Sequence, residues 1–140
     1  MKIYLDIDGV ILANETHTAN FAYEFLTYVT TRFPTYWLTA HCRGNLAETQ
    51  EFLKLKLPPA TFEVTKQILP TNWLENKTEA IDYSEPFLWF DDNLFDAERA
   101  DLVSHQVLEN WIEVDLLKDA NQLQKFLSSF PIPINLVKTD

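Results

Sequence analysis

Cysteine and glycine are nearly missing from this chain, which holds one Cys and two Gly in 140 residues. A lone thiol excludes a disulfide framework and any cysteine-built zinc centre, and it suits a reducing compartment. With so few glycines, Gly9 and Gly44 are each expected at a backbone position that a side chain would obstruct. Long apolar runs are missing too: nothing approaches the roughly 20 residues needed to span a bilayer. Acidic residues at Asp6 and Asp8 argue against a signal peptide, so a cytoplasmic protein without membrane association is expected. Basic residues are scarce, with 11 Lys and Arg against 21 Asp and Glu and a net charge of -10. Binding to duplex nucleic acid is therefore not expected, because neutralising phosphates takes clustered cations.

What is present is a hydrophobic fraction of 46%, ordinary for a globular protein, and a length that suits one domain over residues 1–140. The acid is uneven: residues 81–120 carry 11 acidic and 2 basic side chains, whereas 41–80 carry five of each. For most of these acids a solvated face is the better reading, and only Asp91 and Asp92 read as cation ligands. The aromatics Trp73, Tyr83, Trp89 and Trp111 leave room for an interface, though Trp89 and Trp111 read as core.

Residues 2–7 form a short strand ending in acid, and 10–16 read as a loop. From His17 to about Phe33 the apolar residues recur at helical spacing until Pro34 stops them. A second strand over Tyr36–Thr39 leads through a polar turn into a helix to about Leu55. Residues 60–76 fit strand or helix equally. A short helix is expected from Lys77 to Asp82, a strand over Phe87–Phe90, a helix over 94–105 and a strand over Trp111–Val114. Leu116, Leu123, Phe126, Leu127 and Phe130 suit a last helix. Strands alternating with helices predict a three-layer Rossmann-like α/β fold with a mostly parallel sheet of about five strands. In such sheets ligands bind beyond the carboxyl ends of the strands, and three strands here end in Asp6 with Asp8, in Thr39, and in Asp91 with Asp92.

Residues two apart on an extended chain point the same way, so Asp6 and Asp8 are expected to share one space, with Gly9 making the turn. The run does not match an EF-hand, which needs oxygen ligands where this sequence places apolar residues. In WLTAHCRGN, Thr39 is expected to serve as a helix-start or phosphate-binding hydroxyl. His41-Cys42 lacks the arginine spacing of a cysteine phosphatase loop, and His41 reads as a polar loop residue. Of the adjacent Asp91 and Asp92, alternation lets only one face a ligand directly, while oxygen donors of this kind suit magnesium. Asp96 reads as a helix-start charge. Lys77 is the candidate cation to offset the carboxylates, with Lys66 the runner-up.

Together, Leu5-Asp6-Ile7-Asp8-Gly9-Val10, Trp37-Leu38-Thr39, Lys77 and Phe90-Asp91-Asp92 resemble, in order and spacing, the four motifs of the haloacid dehalogenase-like superfamily of phosphotransferases. The resemblance covers residue 2 to about residue 115 and implies a magnesium-dependent phosphatase. Asp6 would attack phosphorus to give an aspartyl phosphate, and Asp8 would serve as acid and then base. Thr39 and the N–H of Ala40 would hold phosphoryl oxygens, with Gly9 and Arg43 lending substrate contacts. Lys77 would screen charge, and Asp6, Asp91, Asp92 and the Asp8 carbonyl would hold Mg2+. The gaps between motifs leave no room for the cap domain of larger relatives, so an open site is expected, with a second copy or another chain free to supply a lid. Its phosphorylated substrate is then a small molecule or a macromolecular end. One alternative is action on phosphorylated nucleic-acid ends, as in phosphatase-like modules linked to RNA repair; another is a non-catalytic binding module.

Overall fold

The computed structural model describes residues 1–129, so Phe130 of the expected last helix lies outside the described residues. Four strands, β1 (Lys2–Leu5), β4 (Thr35–Trp37), β5 (Phe87–Asp91) and β6 (Trp111–Glu113), form one all-parallel sheet in the order β4-β1-β5-β6. Two further strands, β2 (Leu12–Asn14) and β3 (His17–Thr18), form an antiparallel hairpin apart from it. Among the described residues the sheet thus has four strands. Beside β4 a fifth position is held by one residue: Leu69 bridges Tyr36, donating to the Thr35 carbonyl and accepting from Trp37 N–H. Pro70 follows and has no N–H to extend the ladder.

Alternation along the strands sorts the core into two faces. Ile3, Leu5, Leu88 and Phe90 pack with Phe25, Leu26 and Val29 of α1 (Ala22–Arg32), Leu53 of α2 (Leu46–Lys56), and Leu123 and Phe126 of α5 (Gln122–Ser129). α3 (Pro59–Thr65) settles the first part of the ambiguous stretch as a helix, with proline in its first turn, while residues 66–76 are not helical and Leu69 is extended beside β4. On the other face Tyr4, Phe87 and Trp89 pack with Leu102 of α4 (Asp96–Ser104), Ile81 and Leu38. Both faces of the sheet are therefore covered. Trp89 is fully buried and Trp111 half-buried in this second cluster.

Several expected boundaries move. His17 and Thr18 belong to the hairpin, so α1 starts only at Ala22, and residues 10–16 are not a plain loop. Leu116 lies outside the last helix, which begins at Gln122. The helix after β4 begins at Leu46, with the Asn45 side chain accepting from Glu48 N–H at 3.2 Å. Thr39 is therefore not its cap; it stands in the preceding turn. Among the described residues no helix is long and apolar enough to cross a membrane.

Candidate active site

β1 stops at Leu5, and Asp6 N–H still donates to Phe90 O across the sheet at 3.0 Å. There the chain leaves the sheet. Ile7 O collects the N–H groups of Val10, Ile11 and Leu12, closing one tight turn that runs into the hairpin. Gly9 makes this turn with φ +79, a left-handed conformation that side chains rarely take. A Cβ there would stand 2.6 Å from Asp92 Cγ, so Asp92 lies directly over the glycine.

The adjacent ends of β1 and β5 bring Asp6, Asp91 and Asp92 together, with one oxygen from each within 4.8 Å of the others. Lys77 joins them: its Nζ lies 2.6 Å from Asp91 Oδ2 and 3.6 Å from Asp6 Oδ1. Lys66 instead pairs with Glu63 one helical turn away, so Lys77 is the lysine at the cluster. Its position comes from α4. Glu98 accepts the Lys77 N–H at 2.8 Å, and Asp101 accepts the Thr78 hydroxyl. The Glu79 carboxylate accepts the N–H groups of Leu74, Glu75 and Asn76, fixing the approach to the short 3-10 helix Lys77–Ala80. Glu98 is buried, and nothing in the sequence distinguished it from the solvated acids around it.

Asp91 is only 1% exposed. It lies on the same strand face as Trp89, whose Nε1–H donates to it at 3.1 Å, and its other oxygen accepts from Asn93 N–H at 3.2 Å. Burial, then the charge of Asp6, push its carboxyl up to about 9 despite the pull of Lys77. Asp92, more exposed, is also raised, chiefly by desolvation. One lysine does not offset three crowded carboxylates. Oxygen donors with surplus negative charge are what a hard divalent cation takes, so these residues fit magnesium.

Asp8 is not among the three acids whose oxygens lie within 4.8 Å of one another. The strand has already ended, and the Asp8 side chain, 68% exposed, turns to His41, whose Nε2 lies 2.7 Å from its Oδ2. His41, set aside in the sequence as a polar loop residue, is thus in the site. Its ring stacks on Phe52 of α2, with centroids 4.0 Å apart. Thr39 is buried and its Oγ1 accepts from His41 N–H at 3.3 Å; Ala40 is exposed beside it. Arg43 is not brought to the cluster: it donates to the carbonyls of Trp73 and Leu74 and lies over the Trp73 ring. Cys42 is buried, its thiol against Thr71 O at 3.8 Å.

Beyond Asp8, Gly9 and Asp92 opens a cleft of about 810 Å³ between the hairpin, α2 and the segment after β6. Leu12, Phe52, Val114 and Leu116 are among its apolar lining, while Glu15, Asp115 and Lys56 add charge. Lys56 Nζ ties α2 to the hairpin through Glu15 O at 2.9 Å.

Replacing Gly9 with Ala should cost about 1–3 kcal/mol through the left-handed backbone alone. It should also displace Asp92; if the cluster takes magnesium, calorimetric titration would then show weaker binding, and unchanged affinity would mean that Asp92 is not a ligand. No protein-family model, curated protein or solved structure matches the chain.

Proposed function

We propose that the protein is a magnesium-dependent phosphomonoester hydrolase of the haloacid dehalogenase-like type, working through an aspartyl phosphate at an open site. The observation that carries this reading is the meeting of Asp6, Asp91, Asp92 and Lys77 at the carboxyl edge of a parallel sheet, with Asp8 two residues on facing a cleft. Asp6, Asp91 and Asp92, with the Asp8 carbonyl, would hold the cation. When bound it would lower the charge on the phosphoryl oxygens and keep Asp6 ionised.

The chain's own groups supply the remaining steps. Asp6 Oδ attacks phosphorus while the bond to the ester oxygen breaks, and Asp8 gives that oxygen a proton. Water then attacks the aspartyl phosphate, passing a proton to Asp8 and releasing phosphate and free Asp6. Thr39, whose oxygen already accepts from His41 N–H, would donate its hydroxyl hydrogen to a phosphoryl oxygen, as would the N–H of Ala40. Lys77 balances the negative charge that collects during transfer.

The cleft favours a small organic phosphate over a nucleic-acid end. Its lining carries Asp8, Glu15, Asp92 and Asp115 against Lys56 and His41, a balance that repels a further phosphate. The test is hydrolysis of a panel of phosphate esters with and without magnesium. Turnover that needs magnesium and prefers small esters to phosphorylated oligonucleotides is expected; strong preference for the oligonucleotide would move the reading to nucleic-acid ends.

Magnesium should also change how stability depends on pH. An acid whose folded pKa is raised contributes most when protonated, and that contribution is lost as pH rises from its ordinary value near about 4 through the folded value. For Asp91 the folded value is about 9. The metal-free protein should therefore melt lower at about pH 8.5 than at about pH 6, with much of that difference absent from Asp91→Asn. Saturating magnesium should flatten the wild-type curve, because the cation replaces the proton. Equal slopes in wild type and variant would remove Asp91 as the cause.

A further inference from the structure

We propose that His41 is a positioning residue for Asp8, holding its carboxylate on the cleft side of the site, where the leaving group of the ester departs. The inference rests on the phosphatase reading above and extends it to a residue outside the four motifs.

The ring of His41 is restrained by stacking and its backbone by two hydrogen bonds. Its ring lies against Phe52 with planes 15° apart. Its N–H is held by Thr39 Oγ1, and its carbonyl accepts the Thr49 hydroxyl at 2.6 Å. Turn and helix α2 therefore fix the imidazole before Asp8 meets it. Asp8 is the opposite case, an exposed carboxylate on a turn, standing outside the Asp6–Asp91–Asp92 cluster. In water such a side chain would spread over several rotamers. One bond from an immobile Nε2–H selects the rotamer that lines the cleft, and it leaves the second carboxylate oxygen for proton transfer.

An exposed pair of this kind adds little to stability, so the consequence belongs in the rate. It should depend on the leaving group. Nitrophenolate departs without a proton, whereas an alkoxide must receive one as its bond to phosphorus breaks. The ratio kcat/KM reports the steps through that departure.

His41→Phe keeps an aromatic ring to stack on Phe52 and removes the bond to Asp8. It is expected to lower kcat/KM for an alkyl phosphate by about tenfold or more, within the range of general acid catalysis. For nitrophenyl phosphate the same ratio should change by less than about threefold. His41→Gln, which retains an N–H donor, should recover part of the loss. Asp8→Asn should slow both esters, because it also removes the base for hydrolysis of the aspartyl phosphate, and the alkyl ester more; adding His41→Phe to it should cost little more. Should the phenylalanine variant fail to fold, His41→Leu, which packs on Phe52 without a donor, gives the same comparison.

Equal losses for both esters, or none for either, would overturn the role of His41 while leaving the phosphatase standing. A wild type that hydrolyses neither ester, or an Asp6→Asn variant that hydrolyses both, would remove the phosphatase reading and this inference with it.

Discussion

Asp6→Asn is expected to reduce magnesium-dependent hydrolysis of an aryl phosphate by about a thousandfold or more, since the neutral amide has no anion with which to attack phosphorus. The variant should fold as well as the wild type. Asp6 is nearly buried, its N–H is bonded to Phe90 O whatever the side chain, and Asn has nearly the same shape. Removing one charge from a crowded cluster relieves Asp91, whose proton affinity Asp6 raises. A melting temperature equal to or above that of the wild type, together with lost turnover, is therefore the expected pair of results. Equal turnover in both proteins would exclude Asp6 as nucleophile. An inactive wild type whose melting temperature still rises with magnesium would instead favour a binding module that keeps the metal.

The second large effect is expected at Lys77. Its ammonium is the cation placed against Asp6 and Asp91, and those charges in turn hold its proton affinity above the ordinary lysine value although burial works against it. Lys77→Met keeps much of the stem and removes the charge. Breaking a buried pair in this way costs about 3 kcal/mol or more, because the carboxylates left behind are uncompensated. Denaturant titration of the metal-free variant at about pH 9.5, where Asp91 with its folded value of about 9 gives up its proton, should show that loss. Lowering the pH to about 7 should recover much of it by protonating Asp91, and saturating magnesium should do the same. A variant equally unstable under all three conditions would show that Lys77 matters for packing rather than for charge.

Much of the architecture was legible because the strands are short, apolar and punctuated by proline. Pro34 before β4 and Pro86 before β5 marked where a strand could start, and the runs that follow bury both faces. The hairpin was not legible. Leu12–Asn14 and His17–Thr18 are too short and too polar to carry a period, and they pair through a turn in which the Asn14 side chain accepts from Thr16 N–H. Residues 60–76 were ambiguous because Val64 and Ile68 fit either period; packing against α1 and α2 decided for a helix only as far as Thr65, and Leu69 beyond it pairs with Tyr36 instead.

The site divides in the same way. Asp6, Asp91 and Asp92 were singled out by residue type and by their places at strand ends, Lys77 by opening a short helix, and the structure brings them within a few ångströms. His41 and Glu98 were passed over, since a histidine in a loop and a glutamate in a helix have no local mark of function. Arg43 was read as a substrate contact, but its guanidinium is taken up by the carbonyls of Trp73 and Leu74, some thirty residues away.

Sequence alone placed Asp6, Thr39 and Asp91 at or just beyond strand ends, although β1 and β4 stop two residues sooner than expected, and a parallel sheet puts such ends along one edge; that is a matter of local period and chain direction. Only the tertiary structure decided that Asp8 leaves Asp6 and turns to His41, that Lys77 rather than Lys66 meets the carboxylates, and that Asp91 holds its proton so tightly. Each of these depends on atoms far apart in the chain. The direction of a side chain after its strand has ended, and the charge and water around it, belong to the packed assembly and not to any short stretch of residues.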